Sequence, residues 1–88
     1  MARVRMYATA ACPYCQAAAR LLARKGIADV ETVRVDLEPA RREEMERRSG
    51  QRTVPQIWIG DRHVGGCDEL VALERAGELD ALLETERT

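Results

Sequence analysis

The chain has 88 residues, 45% of them apolar and only 3% aromatic, with no Phe. One domain over 1–88 is expected, with a core resting on Val, Ile, Leu, Ala and Met. Fourteen basic residues against fifteen acidic ones leave a net charge of −1, without the basic excess that nucleic acid or an anionic membrane surface recruits.

RVRMYA (3–8) alternates, Val4, Met6 and Ala8 to one side and Arg3, Arg5 and Tyr7 to the other, so it predicts a strand. Pro13 suits the first position of a helix, where its missing N–H costs nothing; good helix formers run from Gln16 to Lys25, and Gly26 ends them. VETVRVDL (30–37) predicts a second strand with Val33, Val35 and Leu37 on one face. Glu38 and Pro39 open a charged helix that Gly50 closes. Met45 is nearly its only large apolar residue, so that helix should lie on the surface with a thin contact to the core. Its charges read as a solvated face with i,i+4 pairs, Glu43–Arg47 and Glu44–Arg48.

VPQIWIG and RHVGG predict a hairpin, with Ile57 and Ile59 facing one way and Gly60-Asp61 at the turn. Leu70, Leu73, Leu79, Leu82 and Leu83 then recur at helical spacing, broken at Gly77 into one helix and a second short one. The order β-α-β-α-β-β-α gives an α/β fold: a four-stranded mixed sheet with helices on both faces. The first two strands are parallel through a right-handed crossover and the last two antiparallel.

No apolar run approaches the roughly 20 residues of a membrane helix. The opening MARVRMYATA is basic without the apolar stretch of a signal peptide, so a cytoplasmic, membrane-free protein is expected. Thiols there are mostly reduced, which makes the pair Cys12 and Cys15 catalytic or metal-binding rather than a structural disulfide. The pair sits where the first strand runs into the first helix. N–H groups exposed at a helix start favour an anion, and in Cys-x-x-Cys settings the pKa can fall to roughly 3.5–7.5. Cys12 is expected to be the more exposed of the two and the attacking nucleophile; Cys15, one turn on, is the resolving thiol. The competing reading is a zinc site from Cys12, Cys15, His63 and Cys67. Pro13 and the helix formers weigh against it, as does a core that needs no metal to fold.

TVPQ places Pro55 at the start of a strand, where proline is tolerated, and makes Val54-Pro55 a candidate cis bond. Such a bond would turn the Val54 N–H and C=O toward Cys12, to pair with an extended peptide. In GGCDE the N–H groups around Cys67 and Asp68 open another helix, and Gly66 allows close backbone approach. With Asp68 accepting from an ammonium, they would hold an α-amino acid head group; a plain turn with a helix cap is the alternative.

CPYC at 12–15, REEMERRSG at 42–50, TVPQIWIG at 53–60 and GGCDEL at 65–70 together resemble glutaredoxins of the bacterial dithiol class, in order and spacing across nearly the whole chain. The resemblance implies a thioredoxin-like fold and a glutathione-dependent thiol–disulfide oxidoreductase. It would reduce protein disulfides and protein–glutathione mixed disulfides through Cys12 and Cys15, with glutathione as co-substrate and no bound cofactor or metal. It also implies the glutathione site. Val54 pairs through its backbone with the cysteinyl part, beside the cis-proline Pro55 and with Thr53 also in the site; Gly66, Cys67 and Asp68 hold the γ-glutamyl end, and Tyr14 flanks the dithiol. Arg42 meets the glycine carboxylate, with Arg41 and Arg52 as alternatives. The implied partners are glutathione and disulfide-containing or glutathionylated proteins, met by a monomer.

Two departures stand out. The family's lysine upstream of the first cysteine is expected four positions before it, at Ala8, where no charge stands; holding the thiolate then falls to the helix start and nearby arginines such as Arg42 or Arg52. Trp58 replaces the family's frequent Phe, and a packing role is expected for it. Cys67 reads mainly as a capping position, although a helix start could also make its thiol reactive. The rival functions are a redoxin served by thioredoxin reductase and a [2Fe–2S] or metal carrier with Cys12 as ligand; Pro13 weighs against the carrier.

Overall fold

The computed structural model describes residues 3–85. Its elements run β1 (Val4–Ala8), α1 (Pro13–Arg24), β2 (Val30–Arg34), α2 (Pro39–Ser49), β3 (Gln56–Ile59), β4 (Arg62–Gly65), α3 (Cys67–Arg75) and α4 (Leu79–Thr85). The sheet order is β2-β1-β3-β4. β1 and β2 are parallel, as a crossover through α1 requires, while β3 is antiparallel to β1 and forms a hairpin with β4. The α/β arrangement expected from the sequence is thus present, with two helices where the leucine pattern broke at Gly77.

Each face of the sheet carries its own core. On one, Val4, Met6 and Ala8 of β1 and Ile57 and Ile59 of β3 pack against Ala18, Leu21 and Leu22 of α1, Leu70 of α3, and Leu79, Leu82 and Leu83 of α4. On the other, Tyr7, Val33, Val35 and Trp58 meet Met45, the one buried residue of α2. Burying a side chain of that size stabilises by about 1.5–3 kcal/mol, so α2 docks through a single apolar contact, as its charge-rich sequence predicts. Tyr7 lies on the side of β1 opposite Val4, Met6 and Ala8, and it too is fully buried, because α2 covers that face as well.

The charges of α2 are arranged differently from the expected solvated pairs. Glu44 accepts from the Tyr7 hydroxyl and from Arg41 at 2.9 Å, while Arg48 donates to the Tyr7 oxygen at 3.2 Å and lies 4.9 Å above the Trp58 ring. A buried phenol draws the carboxylate inward, since an unpaired polar tip would cost more than an exposed ion pair returns. A second correction concerns β2, which ends at Arg34. The Val35 N–H still reaches the Ala8 carbonyl at 3.0 Å, but the chain then turns and leaves Leu37 68% exposed. No helix of the described residues is long and apolar enough to cross a membrane.

Candidate active site

β1 delivers the chain to the dithiol through a short loop. Asp36, just past β2, accepts from the Ala10 N–H at 3.3 Å, and Arg34 grips the same carboxylate at 2.6 and 2.7 Å. The Arg34 guanidinium is the main reason that the Asp36 carboxyl is held well below the usual carboxylate range. The loop is therefore anchored before the first cysteine by a group that stays ionised.

Cys12 is the N-cap of α1, in extended backbone, with Pro13 in the first turn. Its Sγ takes the place that a Ser or Asp oxygen usually holds at a helix start, accepting from the Cys15 N–H at 3.1 Å. An N–H aimed at the sulfur is the contact that a thiolate nucleophile needs. The same Sγ lies 4.0 Å from the Val54 carbonyl. Cys12 is the more exposed of the two thiols, as expected, but only narrowly, at 7% against 4% for Cys15, and both are free. What separates them is position. Burial first, then the bond to Cys12, pushes the Cys15 thiol up to about 12, against a weaker opposing pull from the Thr9 backbone N–H. Cys15 keeps its proton at neutral pH, while Cys12 holds the helix start.

Ala8 is 3% exposed and packed in the core, so a long basic side chain at that position would have no path to the dithiol. The half-buried Thr9, whose backbone touches Cys15, is the neighbouring position that faces the thiols.

The Val54-Pro55 bond is cis. Beside it opens a groove of about 420 Å³ lined by Tyr14, Gln51, Thr53, Val54, Pro55, Gly66, Cys67, Asp68 and Glu69. Seven residues picked from the sequence thus converge from three separate stretches, and Cys12 borders the groove through Val54. Tyr14, 65% exposed, forms one lip. Arg42 is absent from this lining; its Nη1 donates to the Arg52 carbonyl at 3.2 Å, bracing the loop that carries Gln51 and Thr53. Arg41 is committed to Glu44 and Glu38.

Gln51 and Glu69 were missed. Glu69 stands three residues into α3, the spacing at which a carboxylate reaches back to its helix start, and it accepts from the Gly66 N–H at 2.7 Å. That signal was readable. It also alters the anion site: the Gly66 N–H is already bonded within the protein, so Cys67 and Asp68 are left to supply the N–H groups. Gly65 has φ +115°. A Cβ on it would lie 2.8 Å from the Glu69 Oε1, and one on Gly66 would lie 3.3 Å from both that oxygen and the Pro55 carbonyl, so the groove wall admits no side chain there without a shift.

The Cys67 thiol is buried, and that burial pushes its pKa up. His63 is turned to Gln56, 2.8 Å away, and its ring lies against Trp58 with centroids 4.5 Å apart. Among the described residues no group of three or more His, Cys, Asp or Glu side chains gathers to hold a metal ion.

The sequence model of the glutaredoxin family matches residues 4–64. The chain is similar to a glutaredoxin of Pseudomonas aeruginosa, 58% identical over 94% of this chain and 98% of that one. It is likewise similar to glutaredoxin 3 of Escherichia coli K12, at 50% over 96% and 100%. Among solved structures, a Brucella melitensis glutaredoxin superposes with a TM-score of 0.85 at 50% identity, covering all of this chain and 95% of that one. A buckwheat glutaredoxin solved in complex with glutathione gives 0.87 at 31%, covering 97% and 79%. With the family model matched over residues 4–64 and relatives 50–58% identical aligned over nearly the whole of both chains, the chain belongs to the glutaredoxin family.

Proposed function

We propose that Cys12 is the nucleophile, Cys15 the resolving thiol, and the groove beside Val54 the seat of the glutathionyl group, within one domain over 1–88. The chain is a glutathione-dependent thiol–disulfide oxidoreductase; what is proposed is which residues do the work. The observation that carries the reading is the placement of Cys12 Sγ, 3.1 Å from the Cys15 N–H and 4.0 Å from the Val54 carbonyl at the groove's edge.

On a protein–glutathione mixed disulfide, the Cys12 thiolate attacks the glutathionyl sulfur. The Sγ–S bond forms as the protein's own sulfur leaves as a thiolate. A second glutathione then attacks the glutathionyl sulfur, oxidised glutathione departs, and Cys12 is restored. The Val54 backbone can pair with the cysteinyl unit as one strand pairs with another, which holds the sulfurs in line. The Cys67 and Asp68 N–H groups and the Asp68 carboxylate suit the γ-glutamyl head, Thr53 and Pro55 shape the floor, and Tyr14 closes over it. Arg42 meets the glycine carboxylate from α2, beside the loop it braces. On a protein disulfide, Cys12 forms a mixed disulfide with the protein. Cys15 then attacks Cys12 Sγ, its proton passing to the departing protein thiolate, and two glutathiones reduce the resulting Cys12–Cys15 disulfide. Because Cys15 stays protonated until that step, it does not compete as nucleophile.

Action in the cytoplasm, as a monomer and without a bound cofactor, on glutathionylated and disulfide-bonded proteins completes the proposal. The test is to compare Cys12→Ser and Cys15→Ser in reducing a glutathionylated peptide. The first should be inactive and the second active; equal loss in both would replace this scheme with a strict dithiol mechanism or a metal site. Measuring turnover with glutathione against thioredoxin reductase as electron source decides between this enzyme and the redoxin alternative.

A further inference from the structure

We infer that Gln56 and His63 form a strut that positions the Thr53–Val54 backbone for the glutathionyl group, making both positioning residues for substrate selectivity. The inference rests on the groove being the glutathionyl site. Gln56 is a buried polar side chain, 2% exposed. Its amide nitrogen donates to the Thr53 carbonyl at 3.0 Å and to the Thr53 Oγ1 at 3.3 Å, which uses both hydrogens. The oxygen is therefore the atom that faces His63 Nε2 at 2.8 Å, and His63 must be the donor. That hydrogen is present on the Nε2–H neutral ring and on the imidazolium alike, so protonating His63 leaves the strut intact.

The far end is fixed by packing. The His63 ring lies on Trp58, and Arg48 stacks on the same indole. The near end is a loop without regular structure between α2 and β3, held otherwise by Ser49 Oγ on the Gln51 N–H and by Arg42 on the Arg52 carbonyl. Of the three braces, only Gln56 reaches out from the core, and it holds the residue preceding the Val54 backbone that the substrate would pair with. Leaving the Thr53 carbonyl without this partner loosens the binding geometry without touching either sulfur.

The experiment measures steady-state reduction of one peptide in two forms, glutathionylated and cysteinylated, by the wild type, Gln56→Leu, His63→Phe and His63→Gln, each checked for folding by circular dichroism. The wild type should prefer the glutathionylated form. Gln56→Leu should raise KM for it about 5–10-fold with kcat held within about twofold, narrowing the preference. His63→Phe keeps a ring on Trp58 and removes the donor, and should raise KM about 2–5-fold; His63→Gln restores a donor and should recover part of the loss. The strut is overturned if the wild type shows the preference while folded Gln56→Leu and His63→Phe keep its KM, or if they lose only kcat. Should Gln56→Leu not fold, the His63 variants decide by the same criteria. A wild type without the preference overturns the glutathionyl reading of the groove and the strut with it.

Discussion

Gly65→Ala attacks the groove wall at the point where its geometry is tightest. The residue has φ +115°, a region that side-chain-bearing residues enter at a cost of about 1–3 kcal/mol. The added methyl would also stand 2.8 Å from the Glu69 Oε1 and 3.0 Å from its Cγ. Glu69 is exposed and flexible, so it moves rather than resists; in moving it releases the Gly66 N–H that it holds at 2.7 Å. Hydrogen bonds to charged groups contribute about 1.5–3 kcal/mol, and at this exposed site the low end applies. The variant should therefore lose about 2.5–4.5 kcal/mol, which in a domain of this size lowers Tm by at least about 10 °C. The two contributions are separable. Glu69→Ala alone removes the bond and should cost about 1.5 kcal/mol, while the double variant should cost little more than Gly65→Ala, because the bond is already gone. Urea denaturation of all four proteins measures the coupling, expected near 1.5 kcal/mol. Strict additivity would refute the contact argument, and a Gly65→Ala protein as stable as the wild type would refute the backbone argument too.

Met45→Ala removes the one buried anchor of α2 and should destabilise by about 2–5 kcal/mol in chemical denaturation, with amide exchange rising first in that helix. Tyr14→Ala, at an exposed lip, should leave stability within about 0.5 kcal/mol and raise KM for a glutathionylated peptide. Cys15 has its folded pKa raised to about 12, so the reduced protein draws stability from it that is full below the thiol's unfolded value. That contribution should decline as pH rises from about 9 toward 12. Cys15→Ser should flatten this alkaline limb of a urea-midpoint profile. His63 has its folded pKa lowered by burial, so its contribution is present above about pH 6.5 and lost as pH falls through the lowered value. Its imidazole proton signal in NMR should titrate with a midpoint below 6.5.

The elements were legible where local chemistry acts alone. Pro13 and Gly26 bracket α1, Pro39 and Gly50 bracket α2, and the alternation through Ile57 and Ile59 marks β3. The burial of Tyr7 was not legible, for a different reason. Alternation assigns a residue to a face, but it cannot say whether that face meets water, and α2 brings only Met45 to announce that it does not. Leu37 failed the other way, because an apolar residue in phase with Val33 and Val35 carries no sign that the strand has already stopped. The charge pairs of α2 followed from the same blind spot. Once the Tyr7 hydroxyl is buried, Glu44 and Arg48 are drawn to it, and no i,i+4 rule contains that partner.

The candidate site was legible to the extent that it is built from backbone. Helix starts, a cis-proline and a glycine pair announce themselves by residue type, and Cys12, Val54, Gly66 and Asp68 converge because each sits at such a point. Side chains that serve this backbone are hidden, since their partners lie on other elements. Glu69 lies on the helix that Gly66 opens, and reach-back spacing could have found it; Gln56 and His63 meet across a hairpin with a register shift between Ile57 and Trp58. The division has a chemical basis. A substrate met through N–H and C=O groups leaves the identity of most lining side chains free. Specificity then depends on how firmly the loops carrying those groups are held, and that is the work assigned to Asp36 at Ala10, Arg42 at Arg52, Glu69 at Gly66 and Gln56 at Thr53. Three of the four braces are exposed ends of charged side chains. Gln56 is the one whose side chain is itself buried, where a polar group left unpaired costs most, and the groove's geometry should be most sensitive there.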